Sequence, residues 1–236
     1  MTIEALYPEL CSLYGEQGNL RYLQACLPEA QFIHTTGNQM PRFATDHVSM
    51  IYLGAMPDPM LELALGRLAP YKDALWNAIE GGTVVLATGN SMELFGQSIG
   101  EGSRSIPALG FFSYSAVMDT SARHNSLFLG NFEGMEVVGC KSQFSRTEGP
   151  VTPPFLQVVK GFGSDLKSRQ EGIHYKNFFG THLLGPLLIQ NPPFTRYLLE
   201  LLGVGRPLPF EQEVTEAYAY RLKEFHDPKA KMLLHE

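Results

Sequence analysis

Residues 83–96 carry the pattern of a strand, a tight turn and a helix that can present a nucleophile, but without the nucleophile. The run Thr83-Val84-Val85-Leu86-Ala87 is apolar and rich in β-branched residues, and Thr88-Gly89-Asn90 is a turn of small residues leading into a helix. Such a turn lifts one Cys or Ser side chain above a sheet and aims helix N-terminal amides at it, which is the chemistry of acyl transfer. Gly89 occupies the place from which that side chain would project.

Other residues could replace it. Ser91 offers a hydroxyl two residues on, and can be read either as a relocated nucleophile or as an N-cap for the helix that begins there. His182 offers an imidazole, either a base or a buried, hydrogen-bonded side chain. Cys11, Cys26 and Cys140 fall outside the turn and read as core or loop thiols. Cys140 is the one plausible donor to a shifted site. Glu93 lies one turn into the helix, where a carboxylate suits the helix dipole. Arg146 could hold a carboxylate or form a surface pair. The aromatic run Phe111-Phe112-Ser113-Tyr114 alternates like a half-buried strand.

The positioning elements follow from hydrophobic period and punctuation. Strands are expected at 3–6, 31–35, 48–53 and 83–87. A helix opens near Asn19 as N-cap, with Leu20, Leu23 and Leu27 on one face. A long helix from about Pro59 carries Leu61, Ala64, Leu65, Leu68, Leu75 and Ile79, and Gly81-Gly82 ends it. A short helix runs from the turn to about Gln97. This alternation predicts a three-layer α/β sandwich with a mainly parallel central sheet. Beyond Phe111 the rhythm changes to short strands at 111–117, 127–129, 135–144 and 156–160, an antiparallel extension. A further strand at 175–183 and closing helices at 192–202 and 209–225 complete one domain over 1–236.

The chain has 236 residues, 44% hydrophobic and 18% charged, enough to bury a full core. Net charge is −6 and no basic cluster exceeds a pair, which argues against nucleic acid and anionic membrane as partners. No stretch reaches the roughly 18 apolar residues of a spanning helix, and the N-terminus lacks a signal-peptide pattern. Three scattered cysteines, which cannot pair fully and show no CxxC spacing, fit a reducing cytoplasm. The histidines at 34, 47, 124, 174, 182, 226 and 235 form no metal-binding spacing, so neither a metal nor any other cofactor is expected.

Four segments, 6–19 (Leu-Tyr-Pro-Glu-Leu-Cys-Ser-Leu-Tyr-Gly-Glu-Gln-Gly-Asn), 52–58, 86–96, and 171–172 running into 180–192, together resemble the class I glutamine amidotransferase-like proteins of the cobyric acid synthase type. The likeness is strongest to amidotransferase subunits of cell-wall precursor amidation, and it implies their flavodoxin-like sandwich. In that family a Cys lies inside a run like Ala-Ile-Cys-Gly-Gly-Tyr-Gln, and the matching residues 87–93 put Gly89 at the Cys and Glu93 at the Gln. The family's His lies in a run like Gly-Thr-Tyr-Leu-His-Gly-Pro-Leu. The matching residues 180–187 put Leu184 at the His and His182 at the Tyr. A glycine-rich turn shaped like Leu-Gly-Gly-Gly-Gln-Asp is matched by residues 53–58, with Gly54 kept and Ala55 and Met56 bringing side chains where bare backbone would approach substrate.

The resemblance therefore implies an inherited scaffold without its reactive pair. The expected pocket is Gly54, Ala55, Gly89, Asn90, Ser91, His182 and Leu184, with donor N–H groups at Ala55 and Asn90. The expected role is to bind or regulate a Mur-ligase-like synthetase, or to bind a small amide or amino acid. The alternative is an active hydrolase or amidotransferase, in cell-wall or cobalamin-type chemistry, using a relocated nucleophile such as Ser91 with His182.

Overall fold

The computed structural model describes residues 1–121 and 123–232; His235 lies outside them. A six-stranded sheet in the order β13-β14-β4-β3-β1-β2 forms the centre. Its strands are β1 (Thr2–Leu6), β2 (Gln31–Thr35), β3 (Met50–Leu53), β4 (Val84–Thr88), β13 (Ile173–Tyr175) and β14 (Phe178–Thr181). All neighbouring pairs are parallel except the β13–β14 hairpin at one edge.

Because side chains alternate along a strand, each central strand feeds two cores. Ile51, Leu53, Val85, Ala87 and Phe178 pack on one side, against α2 (Asp58–Leu68) and α3 (Lys72–Glu80). Met50, Tyr52, Val84, Leu86 and Phe179 pack on the other. There they meet α1 (Gln17–Cys26), α4 (Leu187–Gln190) and α5 (Pro192–Leu201). Burial on both faces explains why these strands are continuously apolar. This is the three-layer α/β sandwich with a mainly parallel central sheet that the alternation of elements led us to expect.

Two smaller sheets extend it. One has the order β10-β7-β5-β6, from β5 (Ser98–Glu101), β6 (Arg104–Pro107), β7 (Ser115–Met118) and β10 (Ser145–Glu148). The other is antiparallel, in the order β12-β11-β8-β9, from β8 (His124–Phe132), β9 (Met135–Gln143), β11 (Leu156–Lys160) and β12 (Gln170–Glu171). Helix α6 (Glu211–His226) lays Phe225 on Leu129 and Val138 of the antiparallel sheet.

Several expectations need correction. Asn19 is inside α1 rather than its N-cap, because its amide is used for long-range bonds described below. The long helix from Pro59 is two helices separated by a 3-10 turn at Ala69–Tyr71, since Pro70 lacks an amide hydrogen and disfavours helical geometry before it. The turn at Gly89 continues as a 3-10 helix, Gly89–Phe95. Residues 111–114 are loop rather than strand: the Phe111 and Phe112 amides bond to the Phe95 carbonyl and their rings pack against Trp76 and Phe178. The strand expected at 175–183 is a hairpin that turns at Lys176, whose φ is 51°. Among the described residues no helix is long and apolar enough to cross a membrane.

Candidate functional site

A buried carboxylate holds together the loops around Gly89 and Leu184. Glu16 is fully buried at the mouth of α1. Its Oε1 accepts the Gly185 amide at 2.6 Å; its Oε2 accepts Thr88 Oγ1 at 2.6 Å, Asn19 Nδ2 at 3.3 Å and the Tyr52 hydroxyl. Burial pushes this carboxyl above its ordinary range, and the four donors pull it part of the way back. Asn19 Oδ1 in turn accepts the Leu188 amide at 2.9 Å. A Cβ on Gly18 would lie 2.8 Å from Pro186 Cβ, so the two segments mesh closely at this glycine and a side chain there would force a shift. Asn191 closes the arrangement by bonding both the amide and the carbonyl of Val138 at 2.8 Å.

This clasp presents the end of β4 to the 182–186 loop. Gly89 has φ +62°, a conformation that strains any residue with a side chain, and its amide donates to the Leu183 carbonyl at 3.0 Å. A Cβ placed on Gly89 would sit 2.4 Å from Ala55 Cβ and 3.4 Å from Leu184 Cδ2. Methyl and isobutyl groups therefore fill the space a reactive side chain would use. Asn90 secures the neighbouring loop, giving its Nδ2 hydrogens to the Met56 carbonyl at 2.8 Å and Asp58 Oδ1 at 2.9 Å. Its Oδ1 takes the Met56 amide at 3.0 Å, which removes that N–H from any oxyanion role.

A cavity of about 280 Å³ opens above Gly89. Ala55, Gly89, Asn90, His182 and Leu184 form one side; Gln143 and Ser145 face them. Gly54 and Ser91 are absent from the lining. Gly54 abuts Glu16 and Tyr52, where a Cβ would come within 3.0 Å of both. The Ser91 hydroxyl is fully buried, 2.9 Å from the Leu53 carbonyl and 2.8 Å from the Thr88 carbonyl. It neither caps a helix amide nor meets an imidazole. Cys11, Cys26 and Cys140 also stand outside the cavity, and burial raises all three thiols, Cys11 to about 12 and Cys26 to about 11. None is primed as a thiolate.

Behind the cavity lies a buried ionic cluster, of which only His182 is in the lining. His182 lies beyond the end of β14, not within a strand as expected, and its ring stands between two carboxylates. Nε2 is 3.6 Å from Glu93 Oε1 and Nδ1 is 3.7 Å from Glu171 Oε1. Burial would lower this imidazolium, but the flanking Glu171 and Glu93 outweigh it and the net direction is upward. Glu171 is paired at 2.6 Å with Lys141, both side chains wholly buried. It also accepts Thr181 Oγ1 and the His182 amide. Despite its own burial, these partners hold Glu171 well below the usual carboxylate range.

Arg146 is exposed on β10 and bonds to Glu148 at 3.2 Å. The arginine that lines the cavity is Arg123, which stacks 4.4 Å over Phe144 and reaches the Tyr14 hydroxyl. Nothing in the local sequence around Arg123 distinguishes it. Among the described residues no group of three or more His, Cys, Asp or Glu could hold a metal ion.

With this geometry in view, the comparisons with known proteins bear out the resemblance read from the motifs. The chain is 28% identical over 240 residues to the lipid II isoglutaminyl synthase (glutamine-hydrolyzing) subunit GatD of Streptococcus pneumoniae, covering 93% of this chain and 90% of that one. It is 26% identical to the GatD subunit of Staphylococcus aureus, covering 89% and 88%. No family model matches. Similar solved structures include PurLQS from Thermotoga maritima (TM-score 0.53, 15% identity, 94% and 98% covered). A glutamine amidotransferase crystal structure gives TM-score 0.55 at 14% identity, with 85% and 99% covered. At such identities these structures establish the shared fold.

Proposed function

We propose that this chain, which resembles GatD subunits along nearly its whole length and has the glutamine amidotransferase fold, is an amidotransferase-like subunit that no longer cleaves glutamine. Its role is to bind and regulate a Mur-ligase-like synthetase that amidates a cell-wall precursor, with the cleft retained for a small amide or amino-acid ligand. The relatives' role as subunits of lipid II isoglutaminyl synthase supports the synthetase partner, and favours cell-wall over cobalamin-type chemistry.

The observation that carries the loss of cleavage is the packing at Gly89. Glutamine hydrolysis on this fold needs a nucleophile and a base, and the matching positions hold a glycine and a leucine. In a measured hydrolase, removing such a unit costs about a million-fold in turnover. Here the vacated volume is also closed, because Ala55 Cβ lies 2.4 Å from where any side chain on residue 89 would begin. Purified protein is expected to release no more ammonia from glutamine than a blank. The double variant Gly89→Cys with Leu184→His is expected to stay silent, since Ala55 still collides with the new thiol. Adding Ala55→Gly makes the room that the thiol and imidazole require. Glutamine turnover by the unaltered protein would overturn the reading.

A further inference from the structure

We propose that the cleft above Gly89 takes an amino acid whose side chain ends in an aliphatic group, in preference to glutamine. The inference rests on the reading of the cleft as a small-ligand site and adds the chemistry of the ligand's inner end.

Two observations carry it. The first is what occupies the space where the resembled family places its reactive pair. Gly89 and Leu184 stand at the matching positions, and both line the cavity. The Ala55 methyl and the Leu184 isobutyl group close on the point where a side chain of residue 89 would begin, at 2.4 Å and 3.4 Å. The end of a ligand that reaches residue 89 therefore meets carbon. Leu13, Met56 and Pro57 extend the apolar lining. An aliphatic end gains by leaving water for such surroundings, whereas a carboxamide gives up hydrogen bonds to water without replacing them.

The second observation is that the polar groups beside Gly89 are already committed. The Gly89 amide donates to the Leu183 carbonyl and the Met56 amide to Asn90 Oδ1, both at 3.0 Å. Asn90 Nδ2 gives its hydrogens to the Met56 carbonyl and Asp58 Oδ1, and the Ser91 hydroxyl is turned to two backbone carbonyls. The His182 ring is held between Glu93 and Glu171. Gln143 Oε1 is in the lining without a hydrogen bond, but it only accepts. It can take an amide N–H and leaves the carbonyl oxygen of that amide unmatched. Arg123 and Asp58, the charged groups of the lining outside the His182 cluster, suit the zwitterionic head of an amino acid. A cavity of about 280 Å³ is at the small end of ligand pockets, which fits a molecule of that size.

Homoleucine, glutamine and glutamate share their α-groups and nearly the same shape, and their side chains end in an aliphatic group, an amide and a carboxylate. Titration calorimetry with the three therefore isolates the terminal group. Homoleucine is expected to bind about tenfold or more tightly than glutamine, and glutamate weakest. Leu184→Asn, similar in size, is expected to remove about tenfold of homoleucine affinity, while Leu184→Met keeps it within about threefold. The ratio measured on the unaltered protein needs no variant to fold. Glutamine binding as tightly as homoleucine, or homoleucine indifferent to Leu184→Asn, would overturn the proposal. Ammonia release is followed in the same samples. Glutamine cleavage alongside homoleucine preference sinks only the loss of catalysis, binding without preference or cleavage sinks only this inference, and no binding of any of the three sinks the small-ligand reading and this inference with it.

Discussion

Two buried polar clusters, about Glu16 and about His182, are satisfied to opposite degrees. Around Glu16 both carboxylate oxygens are occupied by donors from four different segments. Around His182 the ring nitrogens, Glu93 Oε2 and Gln143 Oε1 make no hydrogen bond within the protein, the ring nitrogens having only the longer ion-pair contacts to Glu93 and Glu171. Buried polar atoms are almost always paired, so an exception marks either strain or a place meant for something else. The first cluster is a structural clasp whose work is finished on folding. The second borders a cavity, with His182 and Gln143 in the lining.

Mutations should separate the two clusters. Glu16→Ala strands the Gly185, Thr88, Tyr52 and Asn19 donors together, and should cost on the order of 5 kcal/mol in denaturant unfolding. A loss below about 1 kcal/mol would mean the clasp does not hold the loops. Lys141→Met leaves Glu171 charged and uncompensated, for a loss of about 3–5 kcal/mol. The double variant Lys141→Met with Glu171→Met should recover most of that stability, and a strictly additive double loss would deny the pairing. Gly18→Ala pushes a methyl to 2.8 Å from Pro186 and should cost about 1–3 kcal/mol by thermal unfolding. By contrast Glu93→Gln, which keeps an acceptor for Ser145, should change stability by less than about 1 kcal/mol in denaturant unfolding.

The same contrast predicts a pH profile. His182 has a raised pKa, so its contribution is present below the ordinary imidazole range and lost as pH rises through the folded value. Glu171 has a depressed pKa, so its contribution is present above the ordinary carboxylate range and lost as pH falls towards the folded value. Chemical denaturation across pH should therefore show stability falling on both sides. Replacing His182 with Phe should flatten the alkaline side and, because His182 helps to hold Glu171 low, weaken the acid side as well.

Much of the scaffold was legible in the sequence. Strands β1, β3 and β4 were placed within about two residues because burial on both faces leaves an uninterrupted apolar run bounded by turns. Strands β5, β6 and β10 were not foreseen: Ser98-Ile-Gly-Glu101 and Ser145-Arg-Thr-Glu148 are too short and polar to show a period. The apolar stripe from Leu61 to Ile79 reads as one helix because it keeps its period across the break at Pro70. At the site, the sequence identified the glycine and leucine at the matching positions. The Ala55 contact, the contribution of Arg123 and the meeting of Glu93 with His182 lie in tertiary proximity.

What the sequence determined by itself was therefore the layered fold and the chemical identity of residues 89 and 184, because local period and motif order are properties of the chain. What only the tertiary structure decided was which polar atoms are satisfied. Glu93 and His182 are 89 positions apart in sequence and 3.6 Å apart in space. Whether a buried group is partnered depends on distances of a few tenths of an ångström between distant segments, and no spacing along a chain encodes that directly.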